Sequence, residues 1–561
     1  MKISKNTIGF IVVILLGLIA SGFAFSYLLL PRDVFFWDES HHALYGLNIH
    51  RDLSNFDWVS FWVDTNHQGY WPFLHSWFLG LTFLIFGVSY DTARLLSLFF
   101  FYGSIIVIYL ISLNMDRKRG WLIGIISSGF FILSPVVLNF GTNCMLEMMG
   151  ICISLLAIYV YLLALDKKRL SYYLLLGVIL SLALLTKYEF AALLAPVIFF
   201  SALWELVEKY RKIKSMEPGE LKSQKKIRAF AVNKKKEMVW LAKNWFYRYG
   251  LVFMVVALVG ITWVLLPPVE RKLGLIAFKW NIASLKSDAP FAFLPRFTFY
   301  IKSLFIDYNL SFVLGSLMLL SLPIAFIKDY KRIKVRLLIL AVIIPYIILS
   351  AIIEHQEHRL FLTIAPFLFI LTGYITLKIF EWIKSRTGYF RKVWIITGLF
   401  LLILMFYEFY IYFPKILNHA YNYYGIVNKP FEEKKENLKD VLDFFHEKIP
   451  REASISSLII GQHLTPYTQI FHFRDWKAPY FGPFMINHPY FLNSAYFISL
   501  KVEKDSPYYE SFKDTGDGLN KLNKWNNYLE TQLEERSINI FADKYFKDLK
   551  LKALIYRNLK T

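Results

Sequence analysis

Charged residues are scarce in this sequence. Asp, Glu, Lys and Arg make up 19% of its 561 residues, whereas 56% are hydrophobic and 18% are aromatic. A soluble protein of this length carries more charge, so the composition excludes an ordinary soluble enzyme and predicts a polytopic membrane protein. Cysteine is scarcer still. The two that are present, Cys144 and Cys152, exclude a disulfide framework and have no metal-binding spacing.

Acidic residues are outnumbered by basic ones, and the formal net charge is +21. In a membrane protein such an excess is typical of cytoplasmic loops. The basic stretches are not interleaved with aromatic residues on an amphipathic soluble face, so the charge does not predict nucleic acid as a partner. The richest stretch, 207–248, is predicted to be a cytoplasmic loop that is attracted to anionic membrane lipids.

The first hydrophobic run, residues 8–30, is long enough to cross a membrane. No small-residue cleavage site follows it, so we expect an uncleaved first helix with the N-terminus in the cytoplasm. With this run, the hydropathy pattern predicts about eleven spans. The further runs lie at 92–113, 121–139, 147–165, 171–186, 188–206, 249–266, 304–327, 337–353, 360–380 and 393–413.

One short run, residues 72–86, decides the predicted topology. It is too short for an ordinary span, and it contains His75 and Trp77. If it is an interfacial helix in the first outer loop, 31–91, then all the strongly basic loops fall on the cytoplasmic side, in agreement with the positive-inside rule. The topology then places everything after residue 413 outside the cytoplasm.

The last part of the chain, residues 414–561, has a different character. It alternates charged and apolar residues at helical spacing in FEEKKENLKDVLDFFHEKIP, and ASISSLIIG, SAYFISLKV and LKALIYRNL read as short strands. We therefore predict two parts. Residues 1–413 form an all-α polytopic membrane domain with outer interfacial helices, and residues 414–561 form a small extracytoplasmic α/β domain.

The predicted topology brings ionisable side chains from separate loops to one level at the outer membrane face. An ionisable residue at a span end is expensive unless it is paired, solvated or functional. Carboxylates here can act as a base, and cations can bind a lipid phosphate. The candidates from these loops are Asp38, Glu39, His67, His75, Glu147, Lys187, His358 and Arg359.

Carboxylate and imidazole groups at this level also permit a divalent metal, Mg, Mn or Zn. In EHQEH, residues 354–358, Glu354 and His358 have the i,i+4 spacing of one helix face. There is no HExxH pair elsewhere. The candidate metal ligands are Asp38, Glu147 and His358.

A series of motifs in order resembles the polytopic glycosyltransferases of the C superfamily. In particular, the chain resembles the dolichyl-phosphate-mannose protein O-mannosyltransferases and the lipid A aminoarabinose transferases, and the likeness covers most of residues 1–380. The motifs are WDESHHALYG, WPFLHSWFLGLTFLIFG followed by Arg94 in SYDTARLLS, CMLEMMG, LLTKYEFAALLAP and EHRLFLTIAPFLFILTG.

The resemblance implies roles for individual residues. Asp38 is the expected catalytic carboxylate, as base or metal ligand, with Glu39 its neighbour in the motif and Glu147 at the second acidic position. Lys187 and Arg359 are expected to bind the lipid phosphate. The further candidates for donor binding are Arg94, His67, His75 and His358.

One position departs from the family pattern. Trp71 precedes Pro72, where the aminoarabinose transferases have a lysine and the O-mannosyltransferases a His-Pro-Pro. Neither the donor sugar nor the acceptor is therefore carried over from either branch.

The expected function is transfer of a sugar from a polyprenyl-phosphate donor to an extracytoplasmic acceptor (protein, lipid or glycan), with inversion by a carboxylate-assisted displacement. The expected location is the plasma membrane of a prokaryote. A lipid-linked sugar transporter or flippase is one alternative, although the sequence shows no related halves. A non-catalytic membrane assembly subunit is the other.

Overall fold

The structure is a computed structural model. It describes residues 4–215, 224–283, 293–306, 312–351, 358–386, 435–457, 459, 464–474, 479–480, 494–509, 512 and 518–559. The predicted last span, 393–413, and the predicted domain boundary at residue 413 lie outside the described residues.

The first part of the chain is helical, with a π-helical turn at Phe25–Leu29 after the first helix. The helices are α1 (Lys5–Ala24), α2 (Trp37–Ser54), α3 (Trp58–His67), α4 (Leu74–Phe86), α5 (Tyr90–Met115), α6 (Gly120–Leu133), α7 (Pro135–Phe140), α8 (Glu147–Lys167), α9 (Leu170–Thr186), α10 (Tyr188–Lys214), α11 (Gln224–Leu265), α12 (Val269–Ala283), α13 (Phe293–Ile306), α14 (Phe312–Asp329), α15 (Ile333–Ala351), α16 (His358–Phe361) and α17 (Ala365–Arg386).

Seven of the described helices are long and apolar enough to cross a membrane. Three shorter apolar helices, α4, α6 and α9, accompany them. The long helices match predicted spans in position, which confirms the polytopic membrane domain. They are Lys5–Leu29 with its π-helical turn, α5, α8, α10, the part of α11 from Val232 to Leu265, α15, and α17 as far as Trp382.

The short hydrophobic run forms a helix of 13 residues, α4. At 1.5 Å per residue it is about 20 Å long, which is less than the hydrocarbon thickness of a bilayer. It packs closely on α2, because a Cβ atom at Gly46 would lie 2.5 Å from Leu79 and one at Gly80 would lie 2.7 Å from Ile49. These two glycines let α4 hold α2 tightly against the end of the bundle.

Ion pairs tie the helices together at the opposite end of the bundle. Arg336 binds Glu208 through two hydrogen bonds of 2.6 and 3.0 Å, and Lys334 lies 2.7 Å from Asp166. The predicted basic loop 207–248 is largely helical here, since α10 continues to Lys214 and α11 begins at Gln224. Lys and Arg are good helix formers, so the two spans extend beyond the apolar runs.

The last part of the chain contains helices α18 (Leu438–Lys448), α19 (Pro466–His472) and α20 (Gly518–Glu534) and a five-stranded sheet. The strands are β1 (Ile455–Ser457), β2 (Pro479–Tyr480), β3 (Tyr496–Val502), β4 (Ile538–Phe546) and β5 (Leu551–Asn558). The order is β2-β1-β3-β5-β4; β1 is parallel to both its neighbours, and β3, β5 and β4 are antiparallel.

The predicted α/β character of this region is confirmed. The three predicted strand segments contain β1, β3 and β5, which carry most of the buried residues described in the sheet. Strand β4 was not predicted. It lies at the sheet edge, is mostly exposed and has an irregular register between Ile540 and Ala542, so it lacks the run of buried apolar residues that marks an inner strand.

This α/β region shares a hydrophobic core with the segment before α2. The ring of Phe35 lies 4.8 Å from that of Phe471 and 4.6 Å from that of Tyr90. Nearby, the buried Asp33 carboxylate accepts hydrogen bonds from the amides of Leu438 and Lys439 and from the hydroxyl of Tyr508. The α/β region is therefore docked on the loop that carries α2.

Candidate functional site

Asp38 and Glu39 lie in the first turn of α2, where the helix dipole favours negative charge. Adjacent residues of a helix point about 100° apart, so the two carboxylates face different surroundings. The side chain of Glu39 is 6% exposed and that of Asp38 is 17% exposed. The sequence motif therefore contains one buried acid, Glu39, and one partly exposed acid, Asp38.

Glu39 is held by four groups. Its carboxylate accepts hydrogen bonds from Arg94, with Nε 3.2 Å from Oε1, and from the amides of Cys144 and Phe36 at 2.8 and 3.0 Å. Arg32 lies 3.8 Å away. Burial raises the pKa of Glu39, but the charges of Arg94 and Arg32 outweigh it and hold the pKa below its ordinary value. An ionised Glu39 thus ties α2 to α5 and to the segment before α8.

The predicted donor-binding residue Arg94 is part of this buried network. Its guanidinium also donates to the carbonyl of Val34 at 3.2 Å, and the residue is 1% exposed. Arg94 and Glu39 thus belong to one buried network at the start of α2.

Asp38 is paired with Arg359. The Nη1 atom of Arg359 lies 2.9 Å from Oδ2 of Asp38, and the two side chains are 27% and 17% exposed respectively. Arg359 lies in α16, in the connection between α15 and α17. The structure thus brings together a carboxylate and a cation that the sequence analysis proposed for the base and for the lipid phosphate.

Glu147 and Lys187 form a second, more buried pair at the same end of the bundle. The distance from Nζ of Lys187 to Oε1 of Glu147 is 3.1 Å, and both side chains are less than a tenth exposed. Glu147 begins α8, and Lys187 lies in extended backbone between α9 and α10. Arg359 is close enough to interact electrostatically with both members of this pair. All four charges therefore share one site.

The predicted histidines are in different places. His75 is buried, 5.6 Å from the ring of His42, whose own ring lies 4.6 Å from that of Trp71. Burial lowers the pKa of His42, and the charges of His75, His41, Lys187 and Arg359 lower it further, so His42 is neutral at pH 7.

His67 is exposed at the end of α3, and its side chain lies near Asp64. No contact among the described residues links it to the four charges. The side chain of His358 lies outside the described residues.

The described residues do not assemble a group of three metal-ligating side chains. Asp38 and Glu147 each face a cation, Arg359 and Lys187, and this is a poor arrangement for holding a divalent ion. The proposed set of Asp38, Glu147 and His358 remains a prediction, and no chemical step is derived through a metal.

Tyr70 was not predicted as a site residue. Its hydroxyl lies close enough to Asp38, Glu189, Arg359 and Lys187 to interact with them electrostatically. Burial raises the pKa of Tyr70, so its phenol is neutral at pH 7. The adjacent backbone is held by Tyr188, whose hydroxyl donates to the carbonyl of Gly69 at 3.3 Å. Two features of the sequence could have indicated Tyr70: Tyr188 belongs to the motif LLTKYEFAALLAP, and Tyr70 precedes Trp71, where the chain departs from the family pattern.

Comparisons with known proteins agree with this architecture. Residues 71–218 match the model of a family described as dolichyl-phosphate-mannose-protein mannosyltransferase. No protein of curated function matches at a significant level. Two solved structures are similar in fold. The archaeal oligosaccharyltransferase AglB from Archaeoglobus fulgidus has a TM-score of 0.52 and 12% identity, over 91% of this chain and 71% of that chain. ArnT from Cupriavidus metallidurans has a TM-score of 0.50 and 13% identity, over 97% of both chains.

The fold is similar to that of AglB and ArnT: an all-α polytopic domain is followed by a small α/β domain. The resemblance that the motifs indicated is confirmed at the level of the fold.

Proposed function

We propose that the chain transfers a sugar from a polyprenyl-phosphate donor to an acceptor on the extracytoplasmic face of the membrane. The observation that carries the proposal is the contact between Asp38 and Arg359 beside the pair of Glu147 and Lys187. A base and two cations at one end of a helix bundle are the groups that such a displacement needs. AglB, which has this fold, was solved in complex with an inhibitory peptide and a dolichol-phosphate.

In this mechanism Arg359 and Lys187 bind the donor phosphate and stabilise its charge as it leaves. Asp38 accepts the proton of the acceptor group while its oxygen or nitrogen attacks the anomeric carbon. The bond from that carbon to the phosphate oxygen breaks, and polyprenyl phosphate leaves with the bonding electrons. Attack opposite the leaving group inverts the anomeric configuration. Glu147 keeps Lys187 in place, and Glu39 with Arg94 positions α2.

The test is the variant Asp38→Asn, which keeps the shape and removes the base. We expect folded, membrane-inserted protein that has lost transfer by at least about a hundredfold, since a positioned base typically contributes that much or more. A panel of polyprenyl-phosphate sugars, assayed with the wild type, identifies the donor. Undiminished transfer by Asp38→Asn would show that another group is the base.

The same assay tests whether transfer requires a divalent metal. Transfer after chelation, and after chelated protein is supplied with Mg²⁺, Mn²⁺ or Zn²⁺, shows whether an ion is required. A requirement would favour the set of Asp38, Glu147 and His358, and it would predict displacement of Arg359 from Asp38.

The proposed orientation places the site outside the cytoplasm and the basic ends of α10 and α11 inside, as the positive-inside rule requires. A single cysteine at the exposed Ser54 should react with an impermeant thiol reagent applied from outside, and one at the exposed Lys118 should not. Cys144 and Cys152 are first replaced by alanine. The reverse labelling pattern would overturn the orientation.

A transporter is less well supported by the arrangement. Binding sites of secondary transporters lie near the bilayer midplane between related halves. Here Glu147 begins α8 and Lys187 lies between α9 and α10, at one end of the bundle, and Asp38 and Arg359 lie beside them. Loss of transfer with Asp38→Asn would decide for the enzyme.

A further inference from the structure

A group of aromatic rings lies beside Asp38 on the side of the α/β region. Asp38, His41 and Tyr45 share one face of α2, since they are three and four residues apart. The ring of His41 lies 5.5 Å from that of Tyr45 and 3.8 Å from that of Tyr467. The planes of the His41 and Tyr467 rings are inclined by 34°. All three side chains are partly exposed.

Tyr467 comes from α19, and its position is set by a rigid local structure. Thr465 caps α19 by accepting from the amide of Thr468, and its hydroxyl lies 2.7 Å from that of Ser40 in α2. Gln469 donates its side-chain amide to two carbonyls, those of Ile459 and Leu464. The α/β region thus presents Tyr467 to the site in a fixed orientation.

Tyr70 and Tyr45 differ in the charged groups that lie near them. Tyr70 lies among Asp38, Glu189, Arg359 and Lys187, on the side where the donor phosphate binds. The groups that act on Tyr45 are instead Tyr467 and Arg271; burial raises the pKa of Tyr45 to about 12, so it stays neutral. In an in-line displacement the nucleophile approaches opposite the leaving group, so a surface whose charged neighbours do not include the phosphate-binding cations suits the acceptor.

The chemistry of this surface favours a sugar over a peptide. Partly exposed aromatic side chains offer apolar surface to a sugar ring, and polar groups of Tyr45, Tyr467 and the nearby Arg271 can orient hydroxyl groups. Both elements that form the surface, α2 and α19, are helices with hydrogen-bonded backbones. They offer no strand edge to which an extended peptide could add.

We propose that His41, Tyr45 and Tyr467 form a stacking subsite for a pyranose ring of the acceptor, so that the acceptor is a saccharide. The inference rests on the proposed function, since it extends the same site. It assigns a substrate-binding role to the α/β region, which supplies Tyr467. His41 and Tyr45 supply the floor of the subsite from the membrane part.

The decisive variant is Tyr467→Leu in the full-length protein, compared with Tyr467→Phe, which keeps the ring. The matched control is Tyr545→Leu, which removes an exposed tyrosine of the same region on strand β4. With a saccharide acceptor, Tyr467→Leu should raise the acceptor KM about tenfold, a change of the size expected for one aromatic contact. The donor KM and kcat should change less than about twofold. Tyr545→Leu should behave like the wild type, and Tyr467→Phe, which keeps the ring but loses the hydroxyl, should raise the acceptor KM less than Tyr467→Leu does.

A second measurement does not depend on transfer. Saturation-transfer NMR with millimolar methyl α-D-mannopyranoside, methyl α-D-glucopyranoside and methyl β-D-galactopyranoside should detect binding to the wild type, Tyr467→Phe and Tyr545→Leu. Binding should be lost in Tyr467→Leu, whose melting temperature verifies folding. This arm separates the two ideas, because a wild type that binds saccharides but uses no polyprenyl-phosphate donor contradicts the proposed function alone.

Three results would overturn the subsite. The first is equal saccharide binding by the wild type and Tyr467→Leu, or no binding of the whole panel by the wild type. The second is a rise in the donor KM rather than the acceptor KM, which would place the rings on the donor side. The third is transfer to an aromatic-containing peptide that depends on Tyr467 while saccharides are not used.

Discussion

Arg359 and Asp38 are 321 positions apart in the sequence, and their side chains form a hydrogen bond of 2.9 Å at the end of the helix bundle. Each group is partly exposed, so the contact is accessible to a substrate. A guanidinium can donate in several directions from one plane, and it can therefore bind a phosphate while it still contacts Asp38.

This geometry predicts that Arg359→Lys is not a neutral change. Lysine keeps the charge but lacks the planar fork, so we expect kcat/KM for the donor to fall about tenfold or more. Arg359→Gln, which removes the charge as well, should fall further. Initial rates over a range of donor concentrations measure both. A Gln variant with the wild-type kcat/KM would exclude a role of Arg359 in donor binding.

The pair of Glu147 and Lys187 predicts a separation of stability from activity. Lys187→Met leaves the buried Glu147 without its cation, and breaking a buried pair in this way typically costs about 3–5 kcal/mol. Adding Glu147→Gln removes the uncompensated charge, so the double variant should regain most of the thermal stability but no transfer. Melting in detergent and the transfer assay give the two readouts. A double variant that recovers transfer would show that the pair is purely structural.

Glu39 predicts a dependence of stability on pH. Its pKa in the folded protein is held below the ordinary value by Arg94 and Arg32, against the effect of burial. Its contribution is therefore complete above the unfolded pKa of about 4.3, and it is lost as the pH falls through the folded pKa. The loss of melting temperature in Glu39→Gln should be large at pH 7 and shrink as the pH is lowered below about 4.3. Glu534→Gln, an exposed control, should show no such trend, and a deficit in Glu39→Gln that is constant with pH would contradict the ionised network.

The docking of the α/β region depends on Asp33. Asp33→Ala removes the acceptor for the amides of Leu438 and Lys439 and for the hydroxyl of Tyr508. Buried donors without partners typically cost about 1–3 kcal/mol each, so amide exchange at the start of α18 should accelerate. Tyr508→Phe, which removes one hydrogen bond, should have a smaller effect. Unchanged exchange at Leu438 and Lys439 in Asp33→Ala would show that the shared hydrophobic core suffices for docking.

Much of the fold could be predicted because its signals are local. Hydrophobic runs of spanning length coincide with α5, α8, α10 and α15, and the strand segments around β1, β3 and β5 are rich in Ile, Leu and Tyr. The edge strand β4 was missed because an exposed strand has no buried face to mark it. The end of the membrane domain was placed at residue 413, and that prediction stays untested.

At the site, the sequence placed Asp38, Glu147, Lys187 and Arg359 at one membrane face, and the structure brings their side chains together. The resemblance singled out Asp38 over Glu39, but the residues alone did not show how the two differ, because that difference depends on the 100° turn of the helix and on partners from remote segments. His67 illustrates the opposite outcome. It shares a loop with the site, yet its side chain is exposed at the end of α3.

The sequence by itself determined the membrane architecture and the set of ionisable residues at one of its faces, because span length and charge distribution are properties of neighbouring residues. Only the tertiary structure decided which ionisable residues are paired and which are tied into the core. It also decided that Tyr467, from the α/β region, lies on His41 beside Asp38. Such contacts join segments hundreds of residues apart, and they arise when packing on α2 brings those segments together.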